Sequence, residues 1–270
     1  MVGVKFDGRL GNQLFQYVFY KYLQANVKGY SYFFSNTRNQ VIGKYFDFGF
    51  KDNFALRSRI YASFIRKLLR NKKFEDVHIY NIFYPKKPKV TDNTIINGFY
   101  QAHWYLDQLP DGLSITIRKK YTDHFNALYG DLFKQNKTIA LHIRRTDYIN
   151  FGKRDIRVPI TFFKEQLNLI TDLDSYTVFF LSDDIEYVKQ EFELRPNFIF
   201  SNNNEITDFQ IIQNADLAII SNSTFSWWAA YLGKPGNKVI APENWLGFTV
   251  GSEYPRGIMT DKFIWVKVNR

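Results

Sequence analysis

The sequence predicts an α/β protein built on parallel sheets with helices on both faces. Three observations carry this. A strand, a glycine-punctuated turn and a helix follow one another at the very start; short apolar strands alternate with helical-period segments through the second half; and polar clusters stand where those strands end.

Val2, Val4 and Phe6 alternate as in a short strand, Asp7-Gly8-Arg9-Leu10-Gly11-Asn12 is a turn, and residues 13–23 have helical spacing. Such a unit places backbone N–H groups at a helix N-terminus, where an anion or the polar edge of a ligand can be held, so Gly11 and Asn12 are candidate binding residues. Leu56, Ile60, Tyr61, Phe64, Ile65, Leu68 and Leu69 recur at helical spacing, with Arg59, Arg66, Lys67 and Arg70 on the other side. This basic amphipathic helix over residues 56–69 either docks on the core with a solvated charged face or lies on an anionic membrane surface. After a Pro/Lys stretch at residues 85–89, residues 94–96 form a strand leading into Gly98-Phe99-Tyr100-Gln101.

The second half is more regular. Strands are expected at residues 138–143, 177–181, 198–200, 217–220 and 239–241, and helices at 160–170, 185–192, 206–214 and 224–232. Ligands of such sheets bind beyond the carboxyl ends of the strands. A junction around residues 129–137 divides the chain into halves 1–135 and 136–270; no repeat or low-complexity segment interrupts either.

With 270 residues and 45% hydrophobic composition the chain has enough apolar material for one large domain or two ordinary ones. Aromatic residues make up 19%, more than a core of this size needs, so some rings face grooves. A net charge of +10 is compatible with an anionic substrate, a nucleic acid or an acidic membrane, and excludes an acidic binding tail. The absence of cysteine excludes disulfides and Cys-based zinc sites, and the four histidines show no metal-binding spacing. No signal peptide and no run of 18 apolar residues is present, so a soluble, cytoplasmic protein without a metal site is expected.

The sharpest motif is His142-Ile143-Arg144-Arg145-Thr146-Asp147-Tyr148, at the end of a predicted buried strand. Two arginines and a carboxylate leaving such a strand are costly unless paired or ligand-bound. The guanidinium fork of Arg144 suits a phosphate, with charge-assisted hydrogen bonds worth about 1.5–3 kcal/mol each. The competing role for Arg145 and Asp147 is an ion pair that fixes the loop. Next, Phe179-Phe180-Leu181-Ser182-Asp183-Asp184 is an apolar strand ending in two carboxylates; Asp183 and Asp184 either cap the following helix or accept from a ribose diol or a guanine edge. Third, Ser221-Asn222-Ser223-Thr224-Phe225-Ser226 opens a helix with four hydroxyls in six residues, more than one N-cap explains, and a cradle for a pyrophosphate. Trp227 and Trp228 are expected to pack that helix on the sheet.

Gly8-Arg9-Leu10-Gly11-Asn12-Gln13-Leu14-Phe15-Gln16-Tyr17, the 142–148 motif, the 221–230 segment, and Val239-Ile240-Ala241-Pro242 with Trp245 resemble, in order, motifs of the α-1,2-fucosyltransferases (glycosyltransferase family 11) of bacterial O-antigen clusters and animal blood-group synthesis. The likeness runs nearly end to end. It implies a GT-B-like fold, two Rossmann-like halves with parallel sheets facing a cleft, an acceptor-side N-terminal half and a donor-binding C-terminal half. It also implies an inverting reaction that needs no metal or cofactor, with GDP-fucose as donor substrate and an oligosaccharide or lipid-linked glycan as acceptor. By the more distant likeness to α-1,6- and protein O-fucosyltransferases, Arg144 contacts the β-phosphate and His142 the nucleoside. Asp183 or Asp184 lies near guanine or ribose, residues 223–226 near the phosphates, and Asn12 reaches the fucose or the leaving oxygen. The chain departs from the family at Thr146, where many members carry Gly, and follows its G-[YF]-x-Q pattern at residues 98–104 only loosely.

The expected reaction is a single displacement, with Asp7, Asp147, Asp155 and Glu243 as candidates for the group that takes the acceptor's proton. The alternatives are another sugar-nucleotide donor, a catalytically dead sugar-nucleotide-binding protein, and a nucleic-acid-binding protein; the arginines are not interleaved with aromatics on a nucleic-acid module. Peripheral contact with the inner membrane, through the 56–69 helix, goes with a lipid-linked acceptor.

Overall fold

Val2, Gly3 and Val4 are all buried and form β1 (Val2–Val4), an interior strand of a four-stranded parallel sheet. The computed structural model describes residues 1–110 and 112–269. The chain divides into two units, Met1–Arg118 with Tyr254–Ile258, and Lys119–Glu253 with Met259–Arg270.

In the first unit β1 is followed by α1 (Leu10–Asn26), β2 (Tyr32–Phe34), α2 (Ile42–Tyr45), β3 (Phe46–Asp47), α3 (Gly49–Arg57), α4 (Arg59–Asn71), β4 (Glu75–His78), β5 (Thr94–Asn97), α5 (Trp104–Asp107) and β6 (Thr116–Ile117). The sheet order is β2-β1-β5-β4, all parallel, and β3 pairs with β6 in a separate antiparallel ribbon. Helix α1 starts earlier than the apolar spacing marks, because Arg9 is extended and its carbonyl accepts from Gln13 N at 3.0 Å. It is covered almost all round: Leu10, Leu14, Phe15, Val18, Phe19 and Leu23 are at most 1% exposed.

The single helix expected over residues 56–69 is two helices, which corrects that reading. Ser58 ends α3, its N–H donating to Phe54 O at 2.9 Å, and caps α4, its Oγ accepting from Tyr61 N at 3.2 Å. Leu56 therefore belongs to α3. Nor is the apolar side of α4 wholly docked on the core: Ile65 is its buried residue, whereas Ile60 and Phe64 are 78% and 59% exposed.

The second unit runs α6 (Lys119–Gln135), β7 (Lys137–Ile143), α7 (Ile160–Asn168), β8 (Tyr176–Ser182), α8 (Ile185–Glu191), β9 (Phe198–Phe200), α9 (Glu205–Asn214), β10 (Leu217–Ile220), α10 (Thr224–Tyr231), β11 (Lys238–Pro242) and β12 (Ile264–Val266). These strands form one parallel sheet in the order β12-β11-β10-β7-β8-β9. The unit begins at Lys119, ahead of the span 129–137 where the junction is expected, because α6 packs on the second sheet: Phe133 stacks on Phe179 at 5.3 Å and Tyr129 meets the same ring edge-on at 5.6 Å. Strands β7, β8 and β10 are near-continuous apolar runs, as a sheet covered on both faces requires. Trp227 and Trp228 are fully buried.

The register aligns the strand ends. Ile143 pairs with Ser182 across β7–β8, and His142 with Ile220 across β7–β10. The chain after each of these positions carries one of the three motifs, so residues 144–148, 183–184 and 221–226 emerge side by side at one edge of the sheet. The fold is α/β and GT-B-like, as expected. No described helix is long and apolar enough to cross a membrane.

Candidate functional site

At the carboxyl end of β7, Arg144 meets Asp147 through two hydrogen bonds, Nε to Oδ1 and Nη2 to Oδ2, both 2.8 Å. Its remaining edge faces Asp183, with Nη1 3.3 Å from Oδ2. Burial draws the Arg144 pKa down, and the Asp147 bonds with the charges of Asp183 and Asp147 outweigh it, so the net shift is upward and the guanidinium is fixed in its charged form. The loop ion pair weighed for Arg145 and Asp147 is thus made by the neighbouring arginine. Arg145 instead lies over the Tyr187 ring, 3.2 Å from its centroid, with Nε 3.4 Å from Asp184 Oδ2.

The two acidic residues after β8 divide the roles left open for them. Asp184 caps α8, its Oδ1 accepting from Tyr187 N at 3.4 Å. Asp183 clamps the loop after β7: it accepts from Arg145 N at 2.8 Å, from Thr146 N at 3.1 Å, and from the Thr146 hydroxyl. Burial would raise its pKa, but the Thr146 hydroxyl and the Arg144 charge hold the carboxyl below its ordinary value. Thr146, the departure from the family's glycine, supplies two of these bonds.

The hydroxyl-rich turn after β10 is tied inward. Ser221 Oγ lies 3.1 Å from His142 Nδ1, Ser223 bonds the Tyr148 hydroxyl, and Ser226 Oγ donates to Ser223 O at 3.0 Å. These three hydroxyls thus have internal partners. Ser223 stands at the N-cap of α10 without a side-chain capping bond, and Thr224 opens the helix. His142 is buried against Phe225, ring centroids 5.5 Å apart, and burial together with the Arg144 charge depresses its pKa to about 3, so the imidazole is neutral. Asn222 is 1% exposed; its amide donates to Ile156 O at 2.8 Å, while its Oδ1 is buried without a hydrogen-bond partner. Tyr148 joins the first and third motifs, its hydroxyl donating to Asn222 O at 3.1 Å, and burial pushes its pKa up to about 12. It closes the quoted motif, yet its part in the cluster is set by a partner 74 positions away.

The glycine loop belongs to the first unit. Gly8 has φ +73°, and a Cβ there would stand 2.5 Å from Asn12 Nδ2, so the loop needs glycine on both counts. Two buried glutamines of α1 hold it. Gln13 donates to Gly8 O at 3.1 Å and to Asn39 O at 2.9 Å; Gln16 accepts from Asp7 N at 2.9 Å and donates to Gly98 O at 2.8 Å. Asn12 Oδ1 accepts from Gln101 Nε2 at 2.8 Å, which connects the loop to the Gly98-Phe99-Tyr100-Gln101 segment. The sequence signal for these positioning residues is two glutamines three apart in the run 13–20, whose other members are all apolar or aromatic. Gly11 is buried in the first turn of α1.

Of the four candidates for a base, Asp147 is held by Arg144, and Asp155 accepts a fork from Arg157 Nε at 2.9 Å, which keeps its pKa below the ordinary value. Asp7 is exposed and accepts from Gly8 N at 2.8 Å, and Glu243 follows β11. Among the described residues no three His, Asp or Glu side chains converge as a metal site would require.

Comparison with known proteins gives this geometry a context. The profile of the family described as glycosyl transferase family 11 matches residues 1–253. An O-antigen biosynthesis glycosyltransferase, WbnK, from Escherichia coli is 25% identical over 88% of this chain and 93% of its own length. An alpha-1,2-colitosyltransferase from the same organism is 31% identical over 43% of each chain. Among solved structures, the fucosyltransferase NodZ from Bradyrhizobium superposes with a TM-score of 0.52 at 12% identity, covering 86% of this chain and 92% of its own. A glycosyl transferase family 9 protein from Veillonella parvula DSM 2008 reaches 0.51 at 13% identity, covering 98% and 85%. At these identities the structural likeness concerns the fold.

Proposed function

The chain belongs to glycosyl transferase family 11, and on that premise we propose that it transfers L-fucose from GDP-fucose, with inversion, onto the 2-hydroxyl of a galactose-type acceptor. The acceptor is an oligosaccharide or a lipid-linked glycan in bacterial surface-glycan synthesis, a reading supported by the name of the WbnK relative. The observation that carries the proposal is the match of the family profile across residues 1–253, which takes in all three strand-end motifs and the glycine loop.

In this reading the second unit binds the donor and the first unit serves the acceptor. The acceptor oxygen forms a bond to fucose C1 as the bond from C1 to the β-phosphate oxygen breaks; the electron pair leaves with GDP, and the acceptor's proton passes to a carboxylate or to water. Arg144 meets the charge that builds on the departing diphosphate, so no metal or cofactor is required. Asp147 holds the fork until the diphosphate takes or shares it, the 221–226 turn and Arg145 lie against the phosphates, and Asn12 reaches the fucose or the leaving oxygen. Neutral His142 and the carboxylates of Asp183 and Asp184 stand near the nucleoside. The buried Asn222 Oδ1 offers an acceptor to a ligand N–H or O–H.

A second donor reading rests on the colitosyltransferase relative: a sugar nucleotide carrying colitose in place of fucose. One experiment separates the two. Purified protein is incubated in EDTA with either sugar nucleotide and a panel of galactose-terminated acceptors, and nucleotide release and product linkage are followed. Transfer of fucose to a galactose 2-hydroxyl is the expected result. Turnover of the colitose donor alone moves the assignment to the second reading, and failure to bind GDP overturns both.

A further inference from the structure

On the first unit, the groove between residues 37–44 and the α3–α4 junction is open, about 750 Å³ in volume, and lined by Arg38, Arg57, Arg59, Arg66 and Lys44 with no carboxylate. Gln40 braces its wall, donating to Leu56 O at 3.1 Å and accepting from Gly43 N at 2.7 Å. Five cations round one opening repel one another, and a bound anion relieves that repulsion.

Beside the groove lies uncovered apolar surface. Phe50 and Phe54 stand one turn apart on α3, at 90% and 50% exposed, and Ile60 and Phe64 one turn apart on α4. Phe54 meets Tyr61 edge-on at 6.3 Å, which joins the apolar sides of the two helices. Between residues 48 and 74 the chain carries eight lysines and arginines, all exposed, and one carboxylate. That carboxylate, Asp52, is buried and accepts from Tyr17 and Lys21; Asp47, just ahead of this span, offsets part of the Arg57 charge and leaves the rest of the surface positive.

We infer that α3, α4 and the arginine groove form a contact with an anionic phospholipid bilayer, lipid phosphates entering the groove while Phe50, Ile60 and Phe64 reach the acyl boundary. The two halves of the surface together select this partner. A free phosphate or a nucleic-acid backbone satisfies the arginines and leaves four large apolar side chains in water. A second copy of the chain covers the apolar residues but sets one positive surface against another. An anionic bilayer answers both, with each basic residue near its surface contributing roughly fivefold in partition. The inference extends the lipid-linked acceptor reading and is tested without turnover, so either can fail alone.

The test is flotation of the full chain with phosphatidylcholine vesicles, with and without phosphatidylglycerol. Wild type is expected to float with the anionic vesicles only. Neutralising three groove residues together (Arg57→Gln, Arg59→Gln, Arg66→Gln) is expected to lower partition about a hundredfold, and Ile60→Ser with Phe64→Ser at least tenfold. Both variants are expected to keep wild-type turnover on a soluble galactoside. Equal flotation with both vesicle types, or no loss in either variant, overturns the inference. Three further results overturn it if vesicle binding is absent: inorganic phosphate binding that the arginine variant loses assigns a free anion, RNA binding assigns a nucleic acid, and a dimer that Phe64→Ser dissociates assigns a second copy.

Discussion

Asp147 occupies the fork of Arg144 with both carboxylate oxygens at 2.8 Å, so a diphosphate that takes this arginine exchanges places with Asp147 or shares it. Around the two arginines stand three carboxylates, Asp147, Asp183 and Asp184. Both arginines are therefore paired within the protein, with one carboxylate in excess, and an anion binds there against internal competition.

Arg144→Lys keeps the charge and loses the two-pronged geometry. GDP affinity is expected to fall about 10- to 100-fold, the worth of one charge-assisted bond, whereas Asp147→Asn removes the competitor and is expected to tighten GDP binding severalfold at low salt. Titration calorimetry measures both; an Arg144→Lys protein that binds GDP like wild type takes this arginine out of the nucleotide site.

Gln101 orients Asn12 through a 2.8 Å bond within the first unit. If Asn12 acts on the reacting sugar, Gln101→Ala is expected to lower kcat about tenfold with little change in GDP affinity, and Gln101→Glu, which cannot donate to Asn12 Oδ1, to behave alike. A matching loss of GDP affinity would assign Gln101 to donor binding.

His142 is neutral when folded, its pKa depressed to about 3, and titrates near 6.5 when unfolded. Between those values the unfolded chain binds more protons, so the stability this residue supports is complete above pH 6.5 and declines as the pH falls toward 3. Urea unfolding at several pH values is expected to show a shallower acid decline for His142→Asn than for wild type. Identical pH slopes would contradict the buried, neutral assignment.

Asp208 carries the opposite linkage. Burial raises its pKa to about 6 despite hydrogen bonds from Ser201 and Asn203, so the protein loses stability as pH rises from the unfolded value of 3.8 through 6. Asp208→Asn is expected to stabilise the protein at pH 7 by up to about 3 kcal/mol, since each tenfold change in proton affinity is worth about 1.4 kcal/mol, and to confer no gain below pH 3.8. The midpoint of urea unfolding, measured in acid below that value and again at neutral pH, checks both halves of this expectation.

Much of the second unit was legible in the sequence because its strands are buried on both faces and appear as apolar runs, each followed by a polar motif and a helical period. The α/β class, the strand ends that carry the motifs, and family membership followed from that order. Strand β4 was not legible: Glu75, Asp76 and His78 are exposed on an edge strand, so no burial pattern marks it. The break at Ser58 was hidden as well, since the apolar period runs through it unchanged and only the capping geometry divides α3 from α4.

Residue types and spacing by themselves determined that Arg144, Asp147, Asp183 and the 221–226 turn stand at the ends of parallel strands. That Asp183 clamps the loop after β7, that Asp184 stands by Arg145, and that Ser221 bonds His142 were decided by the tertiary structure alone. Those choices depend on register between strands 38 to 79 positions apart in the chain, as in Arg145 with Asp183 and His142 with Ser221. Local sequence specifies periodicity and capping within a few residues; partners across a sheet are specified by packing, which no single segment encodes.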